Sequence, residues 1–268
     1  MDERKNLYFF YPKNDQLEKQ LQPLFDLAQN NNFNIVTEAE NANIIISVGG
    51  DGTFLQAVRK TGFRQDCLYV GIKYEEEAGL YCDFDLDSFD SMVDVMLNQD
   101  LEVRRFPVID VAINGDEARF HCLNELSIRS SIIKSFVLDV FIDDTHFEKF
   151  RGDGLVVATP TGSTGYNKST NGAVVDPKIP CFQVTELASL NNNMYRTLGS
   201  SFILSGERKL RLEVIQDGND YPVIGMDNEA YSIRNIKTLD ITLSDKIVKT
   251  VKLKNNSFWD RVKRTFLT

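Results

Sequence analysis

Five residues near the start of the chain, Gly49-Gly50-Asp51-Gly52-Thr53, restrict it more than any others. The run before them, Ile44-Ile45-Ile46-Ser47-Val48, reads as a buried strand, and Phe54-Leu55-Gln56-Ala57-Val58 after them reads as a helix. A strand entering a helix through a glycine turn aims backbone N–H groups and the positive helix end outward, which suits a phosphate. In an open α/β sheet that place, the carboxyl end of a strand, is where ligands sit. A bare carboxylate would repel phosphate, so Asp51 makes sense where it handles a metal ion or an attacking hydroxyl. The turn therefore reads as phosphoryl transfer rather than simple binding. A turn with a capping aspartate would need fewer glycines. Neither G-x-x-x-x-G-K-[ST] nor G-x-G-x-x-G is present. Charge on the phosphoryl group must then be met by amides, a divalent ion, or an Arg or Lys from elsewhere.

Around this turn, strands and helices alternate. Leu7 to Tyr11 reads as a strand, and Asp15 as the cap of a helix carrying Leu17, Leu21, Leu24, Phe25 and Ala28. Phe33 to Val36, Ile44 to Val48 and Cys67 to Ile72 follow as strands; Gly62 closes the helix after the turn, and Phe89 to Leu97 is a further helix. The alternation predicts an α/β domain with a parallel sheet covered on both faces, over residues 1–99. From residue 100 to 254 the pattern becomes strand-rich. Asn114-Gly115-Asp116-Glu117 and Asp143-Asp144-Thr145 are hairpin turns between apolar runs, and five more strands follow. Residues 255–268 read as a tail helix that completes the first domain, capped by Ser257 with Asp260 three residues on. Its apolar face is Phe258, Trp259, Val262 and Phe266.

With 268 residues the chain suits two modest domains, and its net charge of -9 argues against a nucleic-acid partner. The cysteines, Cys67, Cys82, Cys122 and Cys181, form no C-x-x-C pair and read as reduced thiols, which places the chain in the cytoplasm. His121 and His146 are too few for a histidine metal site, and no membrane-length apolar run occurs. Adjacent His121 and Cys122 point to opposite faces of a strand and are no catalytic pair. Glu75-Glu76-Glu77 reads as a solvated loop.

Three further segments can carry chemistry. Asn124-Glu125 leaves the strand ending at Leu123, which predicts a place at a sheet edge; a carboxylate there can accept both hydroxyls of a ribose diol. Arg151-Gly152-Asp153-Gly154 leads into the strand Leu155 to Ala158. Thr159-Pro160-Thr161-Gly162-Ser163-Thr164-Gly165-Tyr166-Asn167-Lys168 follows it, with hydroxyls and amides able to grip a pyrophosphate or ribose and a tyrosine able to stack on a base.

In this order, the Gly-Asp turn, Asn124-Glu125, Gly152-Asp153-Gly154 and the Thr159 to Tyr166 loop resemble the NAD kinases over nearly the whole chain, including the Phe258-Trp259 tail. The turn alone also occurs in lipid kinases and phosphofructokinases; the Thr-Pro-Thr-Gly-Ser-Thr loop is the specific part. The resemblance implies transfer of the ATP γ-phosphoryl group to the adenosine-ribose 2′-hydroxyl of NAD, with Mg²⁺ accompanying ATP and no resident metal ligand assigned. It implies homodimers or homotetramers. Asp51 falls on the position that accepts the hydroxyl proton. Asp51 and Gly52, Asn124 and Glu125, Arg151 and Asp153 fall on NAD-binding positions. So do Thr161, the stretch Thr164, Gly165, Tyr166, Asn167, Lys168 and Ser169, then Ala188 and Asn228. Gly49, Gly50, Gly52 and Thr53 fall on the ATP-phosphate position.

The chain departs from the family pattern at Gly71 to Tyr81, where an acidic stretch intervenes and Gly79-Leu80-Tyr81 takes the place of Gly-Phe-Leu. Gly165 stands for alanine, and Asn228 for a glycine whose positive φ asparagine tolerates. The rival readings are a lipid kinase sharing the turn and a non-catalytic NAD(P)-binding regulator. The first would leave the Thr159 to Tyr166 loop unused, and intact Asp51 argues against the second.

Overall fold

The structure, a computed structural model, describes residues 5–74, 79–86, 101–215, 222–233, 235–254 and 256–267. The expected helix Phe89 to Leu97 and the Glu75 to Glu77 loop lie outside these. The chain divides into two compact units, residues 1–106 with 247–268, and residues 107–246.

The first unit opens with β1 (Asn6–Phe10), α1 (Asp15–Asn30), β2 (Asn34–Ile35), β3 (Ile44–Val48), α2 (Asp51–Lys60), β4 (Leu68–Lys73) and β5 (Cys82–Asp85). These strands pair in parallel in the order β2-β1-β3-β4-β5. The parallel sheet expected from the alternation is therefore present. The N-cap of α1 is Asn14, whose side chain accepts from Gln16 N, and Asp15 is the first helical residue. An uncharged amide one position earlier does the capping assigned to the carboxylate. Leu17, Leu21, Leu24 and Ala28 of α1 pack with Leu7, Ile46, Val48, Val70 and Ile72 of the sheet. Gly62 takes φ +77° just past α2, as a C-terminal glycine should.

The second unit holds the end of β6 (Leu101–Ile113), β7 (Arg119–Cys122), β8 (Glu125–Arg129), β9 (Phe136–Ile142), β10 (Thr145–Gly152), β11 (Gly154–Ala158), β12 (Cys181–Leu187), β13 (Phe202–Ser205), β14 (Leu210–Val214), β15 (Val223–Met226), β16 (Glu229–Ser232) and the start of β17 (Thr238–Leu253). Both hairpin turns take consecutive positive φ, 55° and 73° at Asn114 and Gly115, 49° and 63° at Asp143 and Asp144. That backbone matches the twist of the flanking strands. Two antiparallel layers result, β10-β9-β14-β17 and the six-stranded β13-β12-β11-β8-β15-β16. Alternate residues of both, such as Leu138 and Val140, Leu155 and Val157, Leu210 and Leu212, fill one shared core. Glu125 does not sit at a sheet edge. It opens β8, which has β11 on one side and β15 on the other.

The last part of β17 returns to the first unit, where Thr250 pairs in parallel with Tyr69 of β4. It leads into α3 (Phe258–Phe266), whose Ser257 and Asp260 form a capping box. The buried residues of α3 are Arg261 and Val262, whereas Trp259 is 49% exposed. Of the face expected on Phe258, Trp259, Val262 and Phe266, Val262 is buried, whereas Trp259 and Phe266 are exposed and the charged Arg261 is buried beside Val262.

Candidate active site

The glycine turn joins β3 to α2 as expected. Gly49 takes φ +148°, and a Cβ there would come within 2.4 Å of Thr53 Oγ1, so only glycine fits. Gly50 is the N-cap, and Asp51 begins the helix. The Asp51 carboxylate is held at both oxygens. Leu80 N donates to Oδ2 at 2.8 Å and Tyr81 N donates to Oδ1 at 2.9 Å. Gly79 lies so close that a Cβ would stand 2.6 Å from Oδ1. The Tyr81 ring stacks on Phe54 of α2 with centroids 4.8 Å apart and planes 4° apart. Two amides and a ring stack thus fix the carboxylate relative to its own helix. A Cβ on Gly52 would meet open space, so backbone is approachable at that point of the turn.

In the second unit the Thr159 loop wraps round Asn124. Thr159 N donates to Asn124 O at 2.8 Å, and Gly162 passes so close that a Cβ would be 2.0 Å from that oxygen. Most of the loop's hydroxyls serve the loop itself. Thr159 Oγ1 donates to Leu123 O, Ser163 Oγ to Pro160 O, and Thr164 Oγ1 to Thr161 O. Asn167 is fully buried, donating toward Ser163 O and Ala173 O and accepting from Thr185 Oγ1. Thr164 and Asn167 thus brace the loop through these bonds. Thr161 Oγ1 and Glu125 Oε2 are different, because both are buried with no hydrogen-bond partner among the described residues. Buried polar atoms of this kind call for a ligand or water. A Cβ on Gly165 would stand 3.1 Å from Glu125 Oε2, so this glycine leaves room beside the carboxyl that an alanine would narrow. Tyr166 is half-buried, and Lys168 and Ser169 are exposed.

Glu125 has a further charged neighbour in Asp227. The Asp227 carboxylate accepts from Leu123 N at 3.2 Å and from Asn124 N at 2.7 Å. Asp227, not Asn228, takes the positive φ of 53°, and Asn228 is exposed in the following turn position. Aspartate shares with asparagine the short side chain that tolerates this region. Burial first, and the Asp227 charge second, push the Glu125 pKa up to about 8.

Arg151 lies near the end of β10, and Ala188 directly follows β12; Leu190 N donates to Arg151 O at 2.7 Å. The Arg151 guanidinium lies 4.6 Å from the Tyr195 ring centroid, and its Nε donates to Ser135 Oγ at 2.7 Å. Ala188 takes φ +46°, which costs strain for a residue with a Cβ. Asp153 is exposed and, with Arg129, Ser130, Lys134 and Ser135, lines a cavity of about 400 Å³. Tyr195 gave no sequence sign, since its partner lies far away in the chain. Among the described residues no group of three His, Cys, Asp or Glu side chains is gathered as for a metal ion. The four cysteines are buried, and His121 pairs with Asp110 at 2.7 Å.

Residues 123–253 match the family model described as the ATP-NAD kinase C-terminal domain. The chain is 60% identical over 267 residues to NAD kinase 2 of Bacillus licheniformis, covering 100% of both chains. It is 61% identical over 266 residues to NAD kinase 2 of Bacillus subtilis, covering 99% of each. Its fold is similar to that of yeast NADH kinase complexed with NADH, at TM-score 0.79 and 17% identity over 98% of this chain and 87% of that one. An NAD kinase from Archaeoglobus fulgidus in complex with ATP gives TM-score 0.76 and 24% identity over 97% of this chain and 98% of that one. Identity of this extent along the full length, together with the order of the motifs, makes the chain a member of the NAD kinase family.

Proposed function

We infer that the chain transfers the γ-phosphoryl group of ATP to the 2′-hydroxyl of the adenosine ribose of NAD, giving NADP and ADP. The 2′-oxygen forms a bond to the γ-phosphorus while the bond from that phosphorus to the β–γ bridging oxygen breaks, and its electron pair leaves with ADP. The hydroxyl proton passes to Asp51. Such a transition state is loose, so positioning and charge neutralisation carry most of the rate, and the base acts late. Mg²⁺ bound with ATP would supply neutralisation of phosphate charge beside the Gly49 to Thr53 turn, and Asp51 is the acid of that turn that would stand near it. The Gly49 to Thr53 backbone receives the ATP phosphates. Glu125 and Asn124 take the ribose of NAD, with Thr161, Tyr166, Arg151 and Asp153 as further contacts.

The observation that carries the catalytic assignment is the clamp on Asp51, a carboxylate oriented at both oxygens by amides within a turn shaped for phosphate. The test is NADP formation from NAD, ATP and Mg²⁺, read through an NADP-specific dehydrogenase, with Asp51→Asn alongside. Collapse in the variant supports the role, and equal turnover refutes it. A well-folded protein that binds NAD and makes no NADP would be a regulator instead.

We further propose a homodimer or homotetramer in the cytoplasm. The scattered, buried cysteines suit a reducing compartment. Among the described residues no helix is long and apolar enough to cross a membrane. Sedimentation at several protein concentrations reads the assembly state.

A further inference from the structure

Arg261 of α3 has no exposure to solvent. Its Nη1 donates to the carbonyl oxygen of Leu80 and lies 3.7 Å from the Asp83 carboxylate. Asp83 has other partners. Arg104 Nη2 is 3.0 Å from the same oxygen, and Asn256 Nδ2 donates to the other at 2.5 Å. Two guanidinium groups thus share one buried carboxylate. Arg261 Nε and Nη2 find no hydrogen-bond partner among the described residues. Burial and then the Arg104 charge push the Arg261 pKa down to about 10, against the favourable charges of Asp83, Asp51 and Tyr81. A buried cation in this position is costly, and an apolar side chain of similar length would pack there at lower cost. What the guanidinium does, and an apolar chain could not, is hold the Leu80 oxygen.

That oxygen belongs to the peptide group whose N–H is Tyr81 N, the donor to Asp51 Oδ1. A trans peptide is planar, so its C=O and N–H point opposite ways and fixing one fixes the other. A cation on the oxygen also polarises the N–H toward its acceptor. We propose that Arg261 is a positioning residue for Asp51. It holds the Leu80–Tyr81 peptide from the oxygen side, so that the N–H side holds the carboxylate in place for the acceptor hydroxyl. The proposal rests on the reading of Asp51 as the proton acceptor.

The test compares Arg261→Met and Arg261→Lys with the wild type and with Asp51→Asn in the coupled NADP assay, alongside thermal melts. Arg261→Met leaves Asp83 paired with Arg104 one to one, so the fold should keep its Tm or gain. Its kcat should fall by about thirtyfold or more while KM for NAD and ATP stays within about threefold, since a carboxylate displaced by even an ångström loses that much. Arg261→Lys reaches Leu80 O or Asp83 but not both, and its kcat should fall at least about threefold yet stay above that of the Met variant. A Met variant within about twofold of wild-type kcat overturns the proposal, as does a loss matched by a fall in Tm that Lys does not relieve. If the Met variant does not fold, the Lys variant decides: lowered kcat at unchanged KM supports the proposal, and wild-type kcat overturns it. If Asp51→Asn collapses while the Arg261 variants do not, only the positioning role fails; if Asp51→Asn keeps its turnover, the reading beneath it fails.

Discussion

Glu125 is a carboxyl dried by its surroundings, with a pKa of about 8 in place of 4.5. Ionised, it would accept both hydroxyls of a ribose diol as proposed; protonated, one of its oxygens becomes a donor. Taking up such a diol below that pH must therefore expel a proton, and NAD affinity should rise with pH, by at most about tenfold per unit, before levelling off above about pH 8. Calorimetry in buffers of different ionisation enthalpy counts the proton; a dissociation constant flat across this range would remove the carboxylate from the diol. The same shift bears on stability with a definite sign. The folded carboxyl binds its proton more tightly than the unfolded one, so its penalty is absent below the unfolded value and grows as pH climbs toward about 8, reaching the order of a few kcal/mol. Glu125→Gln should then raise Tm in alkaline buffer and leave it unchanged near about pH 4. Asp227→Asn takes away the charge that adds to this shift, and the midpoint of NAD binding should move to lower pH. At Asp51 the expected loss in Asp51→Asn is about a hundredfold or more in kcat, with NAD affinity changed by less than about threefold.

Among the elements, α3 shows what a hydrophobic pattern reads and what it misses. Ser257 and Asp260 announced its start, and Ser257 Oγ accepts from Asp260 N at 3.1 Å. Ser257→Ala should lower stability by about 1 kcal/mol in urea unfolding. Its buried face was misread because a guanidinium sits where an apolar residue was sought. The same cause hid β12, whose Gln183 and Thr185 are buried and satisfied, Thr185 by Asn167 and Gln183 by Ala173. A polar residue in a strand looks like a surface residue until its distant partner is known. β3 and α2, apolar or periodic throughout, were plain. Of the site, the glycine turn and the Thr159 loop were legible because their residue types are forced by backbone geometry. The brace roles of Thr164 and Asn167, the grip of Asp227 on Asn124, and the Arg151–Tyr195 contact were not, since each depends on residues far apart in the chain.

For the whole molecule, the partition matters more than the fold of either part. The first unit takes residues from both ends of this sequence, the second from one continuous stretch. Ending the chain after Lys254 removes α3 and with it the hold on the Leu80 oxygen. Turnover should vanish, and calorimetry should show the transition of the first unit lowered while that of the second stays in place. A single transition shifted as a whole would mean that the two unfold as one.

The Leu80 oxygen and the guanidinium that grips it are 181 residues apart. On a ribosome adding about 5–20 residues each second, the segment bearing Asp51 emerges on the order of ten to forty seconds before Arg261 is made. Throughout that interval the nascent chain carries the Asp51 carboxylate without the guanidinium that holds the Leu80 oxygen. If Arg261 positions Asp51 as proposed, a chain stopped before α3 would keep the second unit and lack the hold on the Leu80 oxygen.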